Sequence, residues 1–135
     1  MNFEIDHLGI AVRSLEEGLR FYEEVLGFTS AGEETIEAER VRVAMLPVGD
    51  ALSASRIELL EATDRESVIA QFIEKRGPGL HHIALRVENL AAVLDRLKAQ
   101  GCRLLNEPRI GAGGHTYVFV HPRSTGGVLL ELIGK

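Results

Sequence analysis

Asp6-His7-Leu8-Gly9-Ile10-Ala11-Val12 returns, with the same alternation, as His81-His82-Ile83-Ala84-Leu85-Arg86-Val87. Each copy is answered further along by a second matching segment. Ile57-Glu58-Leu59-Leu60 follows the first, and Leu130-Glu131-Leu132-Ile133 follows the second at almost the same separation. An internal repeat of this kind decides the fold before any single residue does. It predicts two copies of one unit, each with an imidazole on its first strand and a carboxylate on its last.

Working outward, residues 4–12 read as an apolar, β-branched strand. Ser14 follows as a helix N-cap, with Glu17 placed to complete a capping box. Leu15, Leu19, Tyr22, Val25 and Leu26 recur at helical spacing, and Gly27 sits where a left-handed C-terminal residue is expected. Strands are predicted over 28–36, 40–48 and 53–61, punctuated by Gly32 and by Pro47 through Asp50. The second half repeats the order. A strand over 80–87 precedes Asn89 as N-cap and a helix carrying Leu90, Val93, Leu94 and Leu97. Gly101 stops that helix, and strands are predicted over 102–108, 115–121 and 127–133. Residues 66–76 form a connecting helix that ends at Gly77-Pro78-Gly79. The fold class is therefore α+β, with two tandem βαβββ modules in a single domain over 1–135. Module one spans about 1–63, the linker helix about 64–78 and module two about 79–135.

Strand alternation says which way the histidines point, because side chains two apart share a face. Leu8, Ile10 and Val12 lie together, and His7 lies with Gly9 and Ala11. Ile83, Leu85 and Val87 lie together, and His82 lies with Ala84. In both halves the bulky aliphatic face should pack under the helix. The histidine face carries the smallest side chains, which leaves room beside the imidazole. Glu58 and Glu131 each have aliphatic neighbours on both sides, so their parity also turns them away from the helix-packed core. A lone histidine or glutamate in an alternating strand ordinarily faces solvent. The duplicated placement points instead to a four-ligand site. Two imidazoles and two carboxylates suit a divalent ion that accepts nitrogen and oxygen together, among them Co, Mn, Ni, Fe and Zn. His81 falls on the aliphatic side, and the alignment with His7 selects His82.

Composition bounds the function. The 135 residues, 45% hydrophobic, suffice for one domain with a real core. No apolar run reaches the roughly 18–20 residues of a membrane span. Met1-Asn2-Phe3-Glu4 lacks the basic start and apolar stretch of a signal peptide, so a cytoplasmic location is expected. The single cysteine, Cys102, forms no internal disulfide and reads as a structural thiol. A net charge of −5 with 5% aromatics argues against a nucleic-acid partner.

At the repeated residues the chain resembles the vicinal oxygen chelate superfamily, over nearly its whole length. Within that superfamily it is similar to the methylmalonyl-CoA epimerases. The segments that carry this are Ile5-Asp6-His7 with Ala11-Val12, Ile57-Glu58-Leu59-Leu60-Glu61, Gly79-Leu80-His81-His82-Ile83-Ala84, and His121-Pro122-Arg123 leading to Gly126-Gly127-Val128-Leu129-Leu130-Glu131-Leu132, with Ile110-Gly111 before it. The resemblance implies a cupped eight-stranded sheet around one metal held by His7, Glu58, His82 and Glu131. Some members carry glutamine at the position of Glu58, another oxygen ligand. Cobalt or manganese is the first expectation for the ion, with nickel, zinc or iron as alternatives. The implied reaction interconverts the 2R and 2S forms of an acyl-CoA, with Glu131 as a catalytic acid–base group, and a homodimer is implied as well.

The chain departs from part of that family at Val43, where some epimerases have a second glutamate. Glu37, Glu39 and His115 are the nearby groups able to replace it. A glyoxalase-type lactoylglutathione lyase would use the same ligands, and a small-molecule-binding protein of the fold would need none. An iron dioxygenase would use two histidines and one glutamate. Gly111, Gly113 and Gly114 lack the ending of a phosphate loop and read as a flexible turn beside the site. Tyr117 shares a strand face with His115. Arg40, Arg42, Arg103, Arg109 and Arg123 read as solvated charge before they read as CoA contacts.

Overall fold

Ser14 opens the first helix as the capping pattern predicts. Its backbone is extended, at φ −149° and ψ 147°, and its hydroxyl accepts the Glu17 N–H at 3.1 Å. That satisfies one of the donors a helix start leaves open. The computed structural model describes residues 2–49 and 55–134. Asp50, in the predicted turn, and residues 53–54, at the predicted strand start, lie outside the described residues.

In chain order the elements are β1 (Phe3–Ala11), α1 (Leu15–Leu19, continued by a π-helical turn over Arg20–Val25), β2 (Glu33–Ile36), β3 (Val41–Pro47), β4 (Arg56–Ala62) and α2 (Val68–Arg76). They continue with β5 (Gly79–Val87), α3 (Leu90–Ala99), β6 (Arg109–Ile110), β7 (Thr116–Val120) and β8 (Leu130–Gly134). The strands form one mixed eight-stranded sheet in the order β2-β3-β4-β1-β5-β8-β7-β6. The repeated βαβββ order and the α+β class are as the sequence predicts. Two compact units divide the chain: His7–His81, and the described residues through Asp6 together with those from His82 onward.

In the His7–His81 unit, β1 runs parallel to β4, with Gly9 opposite Glu58, and β3 is antiparallel to both β4 and β2. Parallel neighbours need a long crossover, and α1, β2 and β3 supply it. The aliphatic face packs under the helix as expected. Leu15, Ala44, Leu46 and Leu59 form a buried cluster, with Ile10, Val12, Leu19 and Tyr22 against it. The helix comes so close that a Cβ on Gly18 would lie 3.0 Å from Leu59 Cδ1 and 3.2 Å from Val12 Cγ1. The opposite face is less open than its small residues suggest. Ala11, Val41, Val43 and Leu60 are closed over by Ile69, Phe72 and Ile73 of α2. Those three recur at the spacing of one helical face.

In the other unit β5 runs parallel to β8, β8 is antiparallel to β7, and β7 to β6. Asn89 caps α3 by accepting the Ala92 N–H at 3.1 Å. Leu90, Val93 and Leu97 of α3 cover Leu85, Val87, Val120 and Leu132. Arg86 donates to Asp6 Oδ1 and to Glu4 Oε2, each at 2.7 Å. The Glu4 hydrogen bond holds the guanidinium above its ordinary range, opposed by burial and aided by the charges of both carboxylates.

Three expectations need correction. The first helix does not stay regular beyond Leu19, and its wider π-helical turn carries Val25 and Leu26 off the apolar face, leaving them exposed. Gly27 is left-handed as predicted, at φ 83°. The strand predicted over 28–36 is shortened to β2, because Phe28 packs into the helix cluster instead. The strand predicted over 102–108 is an irregular edge touching β7 through a bridge from Leu104 to Val120. There the Asn106 side chain accepts the Phe119 N–H at 2.8 Å, doing in part what a backbone carbonyl would do.

Candidate active site

The parallel register puts Glu58 of β4 beside Gly9 and one step diagonally from His7. His7 Nε2 lies 3.4 Å from Glu58 Oε1, and the two residues are 4% and 7% exposed. Gly9 and Ala11 share the face with His7, so on that side of the imidazole β1 presents only small residues. Met45 is the cross-strand partner of Glu58 on β3, and Val43 is the partner of Leu60. Val43 is buried among Ala11, Val41, Leu60 and Ile69, a setting for an aliphatic side chain.

The second unit repeats the arrangement. Glu131 of β8 stands beside Ala84 of β5, and His82 Nε2 lies 3.3 Å from Glu131 Oε1. Here the sequence reading missed a neighbour. Phe119 of β7 is the direct cross-strand partner of Glu131, and its ring meets the His82 ring edge to face at 5.7 Å. Tyr117, two residues earlier, meets Phe119 edge to face at 5.9 Å. The alternation of Tyr117, Phe119 and His121 carried the signal, but only the pairing of β7 with β8 turns it toward Glu131.

Burying an imidazole and a carboxylate is costly unless each finds a partner. Separations of 3.3 and 3.4 Å are long for a hydrogen bond between them. They match the spacing of two ligand atoms on one ion, since metal–ligand bonds of about 2.0–2.2 Å set neighbouring ligands about 3–3.5 Å apart. The donor set, nitrogen with oxygen in each unit, fits a divalent ion.

The remaining predicted groups are placed as follows. His81 packs edge to face on Phe72 of α2 at 5.0 Å, consistent with its assignment away from the ligands. Glu37 and Glu39 sit in a 3₁₀ turn before β3, and His115 is exposed just ahead of β7. Arg42 pairs with Glu33 at 2.7 Å, and Arg40 pairs with Glu66 and Asp64. Arg103, Arg109 and Arg123 are exposed. Gly113 and Gly114 are left-handed within a short 3₁₀ turn over Ala112–Gly114. Cys102 is half-buried and free. Among the described residues no helix is long and apolar enough to cross a membrane.

A family model described as the glyoxalase/bleomycin resistance protein/dioxygenase superfamily matches residues 6–119. The chain belongs to that superfamily. Within the superfamily it is 37% identical to the human mitochondrial methylmalonyl-CoA epimerase, over 95% of this chain and 72% of that protein. The crystal structure of methylmalonyl-CoA epimerase from Mycobacterium tuberculosis is 40% identical and superposes with a TM-score of 0.88, covering 96% of this chain and 86% of that one. A solved methylmalonyl-CoA epimerase in complex with methylmalonyl-CoA is 36% identical with a TM-score of 0.92, covering 100% and 96%. These superfamily relatives are enzymes of the epimerase class, and the resemblance extends over nearly all of the chain.

Proposed function

We propose that this superfamily member is a metal-dependent epimerase interconverting the 2R and 2S forms of methylmalonyl-CoA. His7, Glu58, His82 and Glu131 would together hold one divalent ion, cobalt or manganese before nickel, zinc or iron. The observation that carries the reading is the duplicated histidine–glutamate pair, with His7, Glu58 and His82 buried, in a chain similar to methylmalonyl-CoA epimerases over 95–96% of its length. His7, Glu58 and His82 are three buried residues of ligating type.

The C2 proton of the substrate lies between a thioester and a carboxylate, and its removal moves negative charge onto the thioester oxygen. A bound divalent ion supplies positive charge for that oxygen. Glu131 is the proposed acid–base group for one face of C2. In one direction it accepts the C2 proton while a second group protonates the opposite face, and in the other direction it delivers the proton to its own face. Phe119 and His82 border Glu131 on the protein side. Val43 neither accepts nor donates a proton, so the second face of C2 is served by water or by a group other than that residue.

The reading is tested by incubating the protein and the metal with methylmalonyl-CoA in deuterated water and following the C2 proton by NMR. Metal-dependent exchange is expected. Turnover of the methylglyoxal–glutathione adduct without such exchange would replace the epimerase by a glyoxalase-type lyase. The proposal includes a homodimer, for which light scattering at micromolar concentration should give twice the mass of the chain. It also includes a cytoplasmic setting, in which the free thiol of Cys102 stays reduced.

A further inference from the structure

The wall beside Glu131 is built from aromatic rings fixed from two sides. Tyr117 is the cross-strand partner of Ile133 on β8, two pairs along from Phe119 and Glu131. It therefore shares the Glu131 face and stands diagonal to that carboxylate, a spacing of about 7–8 Å that a tyrosine side chain spans. On one side its ring packs edge to face on Phe119. On the other it lies directly against the backbone of Gly111, where a Cβ would fall 2.8 Å from Tyr117 Cδ1 and 3.0 Å from Cε1. Gly111 is itself held by its N–H, which donates to the His115 carbonyl at 2.8 Å, and by its carbonyl, which accepts the Gly114 N–H at 3.1 Å. The ring is thus held between the Gly111 backbone, where a Cβ would press on it, and a second ring that meets His82.

We infer that Tyr117 is the specificity-determining residue for the substituent on C2 of the malonyl thioester, limiting it to about the size of a methyl group. The inference rests on the epimerase reading above and adds to it which side chain sets the substrate range. A rigid aromatic wall penalises extra bulk, and one added methylene in a tight apolar pocket changes kcat/KM by about 10–200-fold. Tyr117 is not one of the four proposed ligands, so its variants are expected to keep the metal.

The test compares proton exchange on methylmalonyl-CoA with exchange on ethylmalonyl-CoA, its homologue by one methylene. The wild type should favour methylmalonyl-CoA by at least about tenfold. Tyr117→Ala should cut that preference by about tenfold or more, with bound metal unchanged by elemental analysis. Should that variant not fold by circular dichroism, Tyr117→Leu keeps an apolar filler and reads the same ratio. Gly111→Ala pushes the ring from its seat and should also alter the ratio. A wild type active on methylmalonyl-CoA, with an unchanged ratio in folded Tyr117 variants, would overturn the assignment of Tyr117 alone. A wild type that exchanges neither thioester would instead remove the epimerase reading, and this inference with it.

Discussion

Glutamine in place of glutamate keeps an oxygen able to ligate and loses the capacity to take a proton. Glu131→Gln should therefore retain much of the bound metal and lose at least about 100-fold in exchange rate, the usual scale for a lost acid–base group. Near-normal exchange by the metal-loaded variant would leave Glu131 a structural ligand only. His82→Ala differs, because it deletes a nitrogen donor outright and opens a cavity beside Phe119. It should lose most of its metal when purified without chelator, and stoichiometric metal by mass spectrometry would mean that His82 is not a ligand. The closeness of His7 to Glu58 and of His82 to Glu131 was legible because period-two alternation is a local rule and the repeat stated it twice. Phe119 was not, since its relation to Glu131 depends on which strands pair and in what register.

At the level of elements, Gly18 shows where packing overrides propensity. Alanine in a helix is ordinarily worth about 0.5–1 kcal/mol over glycine. At Gly18 the new methyl would press on Leu59, which is fully buried. Overpacking of that kind costs about 1–3 kcal/mol. Gly18→Ala should thus lower stability by about 1 kcal/mol, read as a reduced urea midpoint with an unchanged slope. The start of that helix was legible in Ser14 and Glu17. Its π-helical continuation was not, because nothing in Arg20-Phe21-Tyr22-Glu23-Glu24-Val25 marks a wider turn. The irregular edge ahead of β6 escaped for a similar reason: Asn106 imitates a strand through its side chain.

For the whole molecule, the two units share strands. β1 belongs to one unit through Asp6 and to the other from His7, and β5 changes unit between His81 and His82. Neither unit can release its share of a strand without fraying the remainder. A single cooperative unfolding transition is the expected outcome. The chain has two tyrosines and no tryptophan, with Tyr22 in one unit and Tyr117 in the other, so Tyr22→Phe and Tyr117→Phe each leave one reporter. Each variant's tyrosine emission should follow its own circular dichroism curve through urea, and a reporter that departs from that curve would show the units melting separately. The tandem βαβββ plan was legible from the repeat, while the sharing of strands between units was not.

The pairing of each module's first strand with its last has a kinetic consequence. Roughly fifty residues separate histidine from glutamate within a pair, a loop whose closure is entropically costly in the unfolded chain. The unfolded polypeptide therefore chelates poorly, and an ion that binds only the finished fold lowers the free energy of that fold alone. If these contacts form after the folding barrier, added metal should leave the refolding rate unchanged and slow unfolding in proportion to its occupancy. Stopped-flow experiments with and without the ion should then show two chevrons that coincide on the refolding arm and separate on the unfolding arm.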